Sequence, residues 1–161
     1  MNDESNRQAL QEDLAQLPAT DPQRRAAIVP MMQSLQAERG YLDDKSIKEV
    51  AQVTGLSTTE VEELATFYSL IYRYPAGRHV LRVCDSLCCG LRGADRLLQA
   101  AEKYSGVSLG KVSPDGAFSV LPSICLGLCD QAPAALLDGE AVGSLDEAAL
   151  QALLQRLQQE D

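Results

Sequence analysis

Val83-Cys84-Asp85-Ser86-Leu87-Cys88-Cys89-Gly90-Leu91-Arg92-Gly93 and, further along, Cys125-Leu126-Gly127-Leu128-Cys129 are the stretches whose reading decides the fold. Four of the five cysteines fall into two widely separated pairs, Cys84 with Cys89 and Cys125 with Cys129. Two short loops that each bring two thiolates are the donor set of a 2Fe-2S cluster, with one sulfur pair for each iron. Cys88 is left over beside Cys89. Spacing alone leaves open which of these neighbours is a ligand, and the other is expected to be a spare buried thiol.

The first loop is anchored at both ends. Cys84 closes an alternating run from His79 that reads as a strand, and Cys89 stands just before an amphipathic helix expected over 93–104. The N–H groups of Gly90, Leu91, Arg92 and Gly93 are expected at the start of that helix, where unpaired donors and the dipole favour negative charge. Four thiolates, two sulfides and two ferric ions sum to about −2 and gain one more negative charge on reduction. These donors and Arg92 are therefore expected to stabilise the added electron. In the second loop Gly127 permits a tight turn and a close approach to the cluster without a Cβ. Pro133 stiffens the exit from that loop.

Other uses of the cysteines fit less well. Structural zinc also takes four cysteines, but its hairpins are usually C-x2-C, a spacing absent from this chain. Dithiol exchange of the thioredoxin kind needs that spacing too. A Rieske centre needs two histidines, and the single histidine, His79, reads as a surface or packing residue at the entry to a strand. A disulfide framework is disfavoured by the odd cysteine count and by an N-terminus that does not read as an export signal. Neighbouring Cα atoms about 3.8 Å apart also make a Cys88–Cys89 bridge unfavourable. Gly90-Leu91-Arg92-Gly93 lacks the Lys-Ser/Thr of a phosphate loop, and no G-x-G-x-x-G is present. With one histidine and no nucleophile beside it, hydrolytic catalysis has no foundation, and NADH or flavin, if used, must sit elsewhere.

Before residue 76 the pattern is helical. Leu10, Leu14 and Leu17 mark one face, and a second helix opens at Asp21-Pro22 and carries Ile28, Met32 and Leu35. Pro30 is expected to kink that helix or displace its start. A third helix runs from Asp44 through Ile47, Val50 and Ala51 to Gly55, and a fourth opens with the capping box Ser57-Thr58-Thr59-Glu60. Phe67, Tyr68, Tyr72 and Tyr74 are expected in the core on their helical or near-helical spacing. The breaker cluster Tyr74-Pro75-Ala76-Gly77 then divides the chain into domains 1–76 and 77–161. Beyond it come a strand, a helix, a strand over 117–121, a hairpin turning at Asp138-Gly139, and a last helix bearing Leu150, Leu153, Leu154 and Leu157. The fold class is α+β: a helical bundle followed by a small sheet with helices against it.

With 161 residues, 45% of them hydrophobic and 23% charged, the chain reads as a folded protein. A net charge of −9 argues against nucleic acid, whose binding draws on Lys and Arg. The longest apolar run, 26–32, is far short of the roughly 20 residues of a membrane span, so association with a membrane is expected only through partners.

Ala65-Thr66-Phe67-Tyr68-Ser69, Pro75-Ala76-Gly77-Arg78-His79, the two cysteine loops, Pro114-Asp115-Gly116-Ala117-Phe118 and Ala132-Pro133 together resemble the thioredoxin-like 2Fe-2S ferredoxins. Within them the likeness is to the E-type, or 24-kDa-type, branch of NADH:quinone oxidoreductase subunits, those of respiratory complex I, over nearly the whole chain. The family pattern C-x4-C followed by C-x3-C falls on Cys84, Cys89, Cys125 and Cys129, which implies Cys89 and not Cys88 as ligand. The resemblance implies one 2Fe-2S cluster in a thioredoxin-like domain. It also implies a helical N-terminal domain packing on a flavin-bearing, NADH-oxidising subunit, with FMN and NADH on that partner only. Other peripheral-arm subunits follow as partners, and the location implied is cytoplasmic, on the inner face of the cell membrane through the complex. The likeness extends to the diaphorase modules of NAD-linked hydrogenases and formate dehydrogenases. A zinc-stabilised interaction module is the alternative of a different class.

Overall fold

The computed structural model describes residue 8, residues 12–18 and residues 21–160. These divide into two compact units, Met1–Pro75 and Ala76–Asp161.

In the first unit residues 12–15 are helical and bury Leu14, while Leu10 lies outside the described residues. The helix expected from Asp21 is two helices: α1 (Pro22–Ala26), capped by the Asp21 carboxylate accepting from the Gln23 N–H, and α2 (Ile28–Arg39). Pro30 is the reason. It has no N–H for the Ala26 carbonyl, and its ring collides with that carbonyl in a continuous helix. The break at Ala27 places Pro30 in the first turn of α2, where no N–H is missed. Helix α3 (Asp44–Thr54) is capped by Asp43 and ends at Gly55. Helix α4 (Thr58–Phe67) opens on the reciprocal Ser57–Glu60 capping box. Ile28, Met31, Met32 and Leu35 of α2 pack with Leu42, Ile47, Val50, Val61 and Ile71 to form the core.

The aromatics do not join that core. Phe67 is 77% exposed and Tyr74 82%, Tyr68 is also exposed, and Tyr72 is half-buried. Tyr68 caps α4 in an extended conformation (φ −83°, ψ 109°), so helical spacing no longer governs the residues after it. Ile71 is the residue that this segment turns inward. Arg73 fastens the segment to the bundle through the Leu42 carbonyl, Asp44 (2.9 Å) and Glu62 (2.9 Å).

The second unit is built on a four-stranded sheet in the order β2-β1-β3-β4. Strand β1 (His79–Cys84) runs parallel to β2 (Phe118–Ser123) from His79↔Phe118 to Cys84↔Ser123, and antiparallel to β3 (Ala135–Leu137). Strand β4 (Glu140–Val142) pairs with β3 across the turn at Asp138-Gly139. Between β1 and β2 lie a short helix α5 (Leu87–Leu91) and the longer α6 (Ala94–Ser105), and α7 (Glu147–Glu160) follows the hairpin. Leu81 and Val83 share one face with Phe118 and Val120, and they pack against Leu97, Leu98 and Ala101 of α6 and Leu150, Leu154 and Leu157 of α7. Strand β2 runs two residues beyond the expected 117–121, carrying Pro122 at an edge of the sheet where no ladder donor is lost. His79 is half-buried, with Nδ1 2.7 Å from the Asp138 carboxylate. It packs as a structural residue on the hairpin.

Candidate metal centre

The parallel pair β1 and β2 ends where the two cysteine loops begin. Cys84 is the last residue of β1, and its N–H donates to the Ala134 carbonyl at 3.0 Å, just before β3. Asp85 N–H donates to the Ser123 carbonyl at 3.0 Å, so the chain leaving β1 stays in register with the chain about to form the second loop. That loop passes through Gly127, whose φ of 81° lies in the left-handed region, to a 3-10 turn at Cys129–Gln131. A Cβ on Gly127 would meet no atom within 4 Å, so the need for glycine here is conformational. The loop exit is tied to the segment before α7 by Ser144 N–H to the Gln131 carbonyl (2.5 Å) and Leu145 N–H to the Pro133 carbonyl (2.9 Å).

All four of the cysteines expected as ligands come to this end of the sheet. Cys84 and Cys89 are each 2% exposed, and the Cys89 thiol hydrogen-bonds Cys84. Cys125 and Cys129 are exposed, with their sulfurs 3.6 Å apart. The sulfurs thus group by twos, and Cys89 also feels the charge of Cys125 across the two pairs. Among the described residues no three His, Cys, Asp or Glu side chains are grouped as they would be around one metal ion. Two thiolates for each of two irons is the arrangement of a 2Fe-2S cluster, and this donor set fits that group.

Cys88 is exposed, contrary to the expectation of a buried thiol. Cys88 and Cys89 are consecutive in α5, and a helix turns about 100° per residue, so when one faces inward its neighbour cannot. Cys88 lies on the side of the exposed pair, where it acts on the Cys129 thiol. Hydrogen bonds and charge from Cys125 and Cys88 push the Cys129 thiol up to about 11. Burial pushes Cys89 up, aided by its bond to Cys84 and opposed by a backbone N–H from Ala134. Burial also pushes Cys84 up. There it is outweighed by the N–H groups of Ser86 and Leu126, the Cys89 thiol and the Ser86 hydroxyl, which together hold Cys84 below the usual thiol range.

The donors therefore differ from those read in the sequence. Cys89 does stand ahead of α6, but it lies inside the short helix α5, so the N–H groups nearby are already engaged: Gly90 to Ser86 (2.8 Å), Arg92 to Cys89 (3.0 Å) and Gly93 to Gly90 (3.0 Å). The sulfurs take their bonds from Ser86, Leu126 and Ala134 instead. Leu126 joins the two loops by donating from the second to the first cysteine of the other. A serine placed between Cys84 and the Leu-Cys-Cys run was the one available signal of this arrangement.

A profile of the thioredoxin-like [2Fe-2S] ferredoxin family matches residues 12–158. The chain is 40% identical to the E subunit of the NADH-quinone oxidoreductase of Pseudomonas aeruginosa, over 75% of this chain and 73% of that protein. It is 39% identical to the protein of the same name from Escherichia coli K12, over 82% of this chain and 80% of that one. Among solved structures, an NAD+-reducing [NiFe]-hydrogenase in the air-oxidised state is similar with a TM-score of 0.69 and 27% identity. That likeness covers 81% of this chain and 23% of the hydrogenase chain, so this protein spans about a quarter of its length.

Proposed function

Because the chain belongs to the thioredoxin-like [2Fe-2S] ferredoxin family, we propose that it is the electron-transfer subunit of an NADH:quinone oxidoreductase, holding one 2Fe-2S cluster through Cys84, Cys89, Cys125 and Cys129. The observation that carries this reading is the convergence of four thiols, in pairs, from two distant loops at one end of the sheet. When bound, such a cluster takes up and releases one electron.

This chain's own residues give that site two different sides. Cys84 and Cys89 lie in a small apolar nest with Ala94, Ala132 and Ala134, against which Leu126 and Leu128 pack, and this excludes water from the inner sulfurs. The N–H groups of Ser86, Leu126 and Ala134 are fixed by the fold and aimed at those sulfurs, so they need no reorganisation when negative charge increases. Cys125 and Cys129 face outward, and Leu87, Leu91 and Ile124 stand exposed around the same loops. An exposed apolar rim of this kind suits a docking surface, and covering it would bring a partner's redox group close to the outer sulfurs. The partner proposed is a flavin-bearing, NADH-oxidising subunit carrying both FMN and NADH, with the other peripheral-arm subunits beyond it. No helix among the described residues is long and apolar enough to cross a membrane. The proposed location is accordingly the cytoplasmic face of the membrane, through the complex.

Purification of the native assembly tests this proposal. Iron and acid-labile sulfide in equal amounts, an EPR signal on reduction, and co-purification with a flavoprotein that reduces quinone from NADH are expected. A colourless protein containing zinc would overturn the cluster assignment. Co-purifying nickel subunits would move the chain to a hydrogenase, as the structural likeness to that enzyme allows.

A further inference from the structure

The turn Cys129–Gln131, which carries one cysteine of the outer pair, is fastened to the segment Gly143-Ser144-Leu145 between β4 and α7. Ser144 N–H donates to the Gln131 carbonyl at 2.5 Å and Leu145 N–H to the Pro133 carbonyl at 2.9 Å. Ser144 has a φ of 51°, in the left-handed region that a residue with a Cβ seldom adopts, and such outliers persist only where the surroundings impose them. Gly143 comes so close to the turn that an added Cβ would lie 2.6 Å from Gln131 Cβ and 2.5 Å from its Oε1. The Oε1 end could swing aside. Gln131 Cβ could not, because the main chain of the turn fixes it. Nor is the segment free to retreat: Val142 pairs with Ala135 in the sheet, and Leu145 is buried in the core with α6 and α7.

We propose that Gly143 is a positioning residue for the 2Fe-2S site: its missing side chain lets the segment close on Gln131 and so fixes Cys129, two residues earlier in the same turn. This rests on the assignment of Cys129 as a cluster ligand. Cys129 opens the turn and Gln131 closes it, with Gln131 N–H bonded to the Leu128 carbonyl at 3.0 Å, so a displacement at one end of this short piece is passed to the other. With a methyl on Gly143, restoring ordinary contact asks Gln131 to withdraw by roughly 1 Å. A functional constellation tolerates a displacement of only about 0.5 Å. The inner pair, Cys84 and Cys89, belongs to another segment, so the disturbance falls on the outer pair.

The test is a double-substitution cycle in the full-length, cluster-loaded protein: wild type, Gly143→Ala, Gln131→Gly, and the two together. Gln131→Gly removes the three atoms nearest the new methyl, Cβ, Cδ and Oε1, and keeps the Gln131 carbonyl and N–H. Two quantities are read, the rate at which the oxidised protein yields iron to EDTA and the EPR line positions after reduction with dithionite. Far-UV circular dichroism follows the fold. In the wild-type background Gly143→Ala is expected to speed iron release by about tenfold or more and to shift the EPR lines. In the Gln131→Gly background the same substitution is expected to change the rate by less than about twofold and to leave the lines in place. Unchanged rate and lines on Gly143→Ala would overturn the proposal, and so would equal effects in the two backgrounds, since the contact with Gln131 would then not carry them. Loss of the far-UV signal together with iron in Gly143→Ala would overturn it as well, because Gly143 would then hold the fold and not place the sulfur. A wild-type protein with no reducible iron and no acid-labile sulfide would sink the cluster assignment itself, a separate result.

Discussion

Gly77→Ala is expected to cripple the second unit although Gly77 touches no cysteine. A Cβ built there would sit against the Phe118 carbonyl carbon and within 2.7 Å of both Phe118 Cα and Ser119 N, where ordinary contact begins at 3.4 Å. These are main-chain atoms at the first residues of β2, and they cannot swing aside as a side chain would. The start of the β1–β2 pair, at His79↔Phe118, must open by roughly 1 Å to restore ordinary contact. Opening strains the bonds from Gly77 N–H to Ser119 Oγ (2.9 Å), Arg78 N–H to the Gly116 carbonyl (3.0 Å) and His79 N–H to the Ala117 carbonyl (2.8 Å). Overpacking of this kind costs about 1–3 kcal/mol, and loss of two of these bonds at about 1 kcal/mol each brings the total to about 3–5 kcal/mol. In a unit of this size that lowers the melting temperature by roughly 15 °C or more. The assay is a thermal melt of the full-length, cluster-loaded protein followed by visible circular dichroism. Gly90→Ala serves as control, since its methyl would meet nothing nearer than the Asp85 carbonyl at 3.9 Å and alanine is the better helix former. A Gly77→Ala melt within about 3 °C of wild type would refute the steric argument, since that corresponds to well under 1 kcal/mol.

Further outcomes are expected. Cys88→Ser should keep the visible spectrum and EPR signal, while Cys84→Ser and Cys129→Ser should lose or strongly weaken them; equal loss in Cys88→Ser would mean that the ligand assignment is wrong. Gly127→Ala should destabilise the loaded protein by about 1 kcal/mol from the left-handed φ alone, read as a lower urea midpoint, and an unchanged midpoint would argue that the loop relaxes freely. Arg73→Met should destabilise the first unit by about 1–3 kcal/mol, because the Leu42 carbonyl, Asp44 and Glu62 lose a shared donor; helical circular dichroism against urea measures it, and an equal midpoint counts against the role. Asp43 is held below the usual carboxylate range by the Ser46 N–H and hydroxyl, Glu60 by the N–H and hydroxyl of Ser57, and Asp115 by the Ser113 hydroxyl and the Ala117 N–H. Depressed folded values mean stability that is present above the usual carboxylate range and lost as pH falls through those values. The urea midpoint should therefore fall below about pH 4, and a flat profile from pH 5 to 3 would contradict this.

The helices and strands were legible where one periodic face met one local punctuation mark. Asp21-Pro22, Asp44 through Gly55, and Ser57 with Glu60 each announce a helix end by satisfying donors or carbonyls within a turn, and that chemistry is local enough to be written in the sequence. The parallel pairing of β1 with β2 was not written there, because its register depends on a close approach at Gly77 that looks in the sequence like ordinary linker glycine. The aromatics failed for a related reason. Phe67, the last residue of α4, lies off the helix face that buries Val61 and Ala65, and Tyr68 ends the helix, so its spacing no longer governs Tyr74, which stays exposed while Ile71 fills the core.

At the candidate centre, the sequence showed the sulfurs but misplaced their donors, and the difference has a physical cause. A thiolate pair needs only a spacing, and C-x4-C with C-x3-C survives any detail of loop conformation. A donor needs an N–H that nothing else has taken. Leu87-Cys88-Cys89-Gly90-Leu91 is too short to show helical periodicity, yet it forms a turn of helix that consumes the Gly90, Arg92 and Gly93 N–H groups. The same turn decides which of two adjacent cysteines faces the buried pair and which faces solvent. With those amides spent, the charge of the inner pair rests on Ser86, Leu126 and Ala134, three residues from three different segments. All three act through the main chain, so a substitution at any of them that keeps the path of the loop keeps its contribution, whereas a substitution at a cysteine removes a sulfur outright.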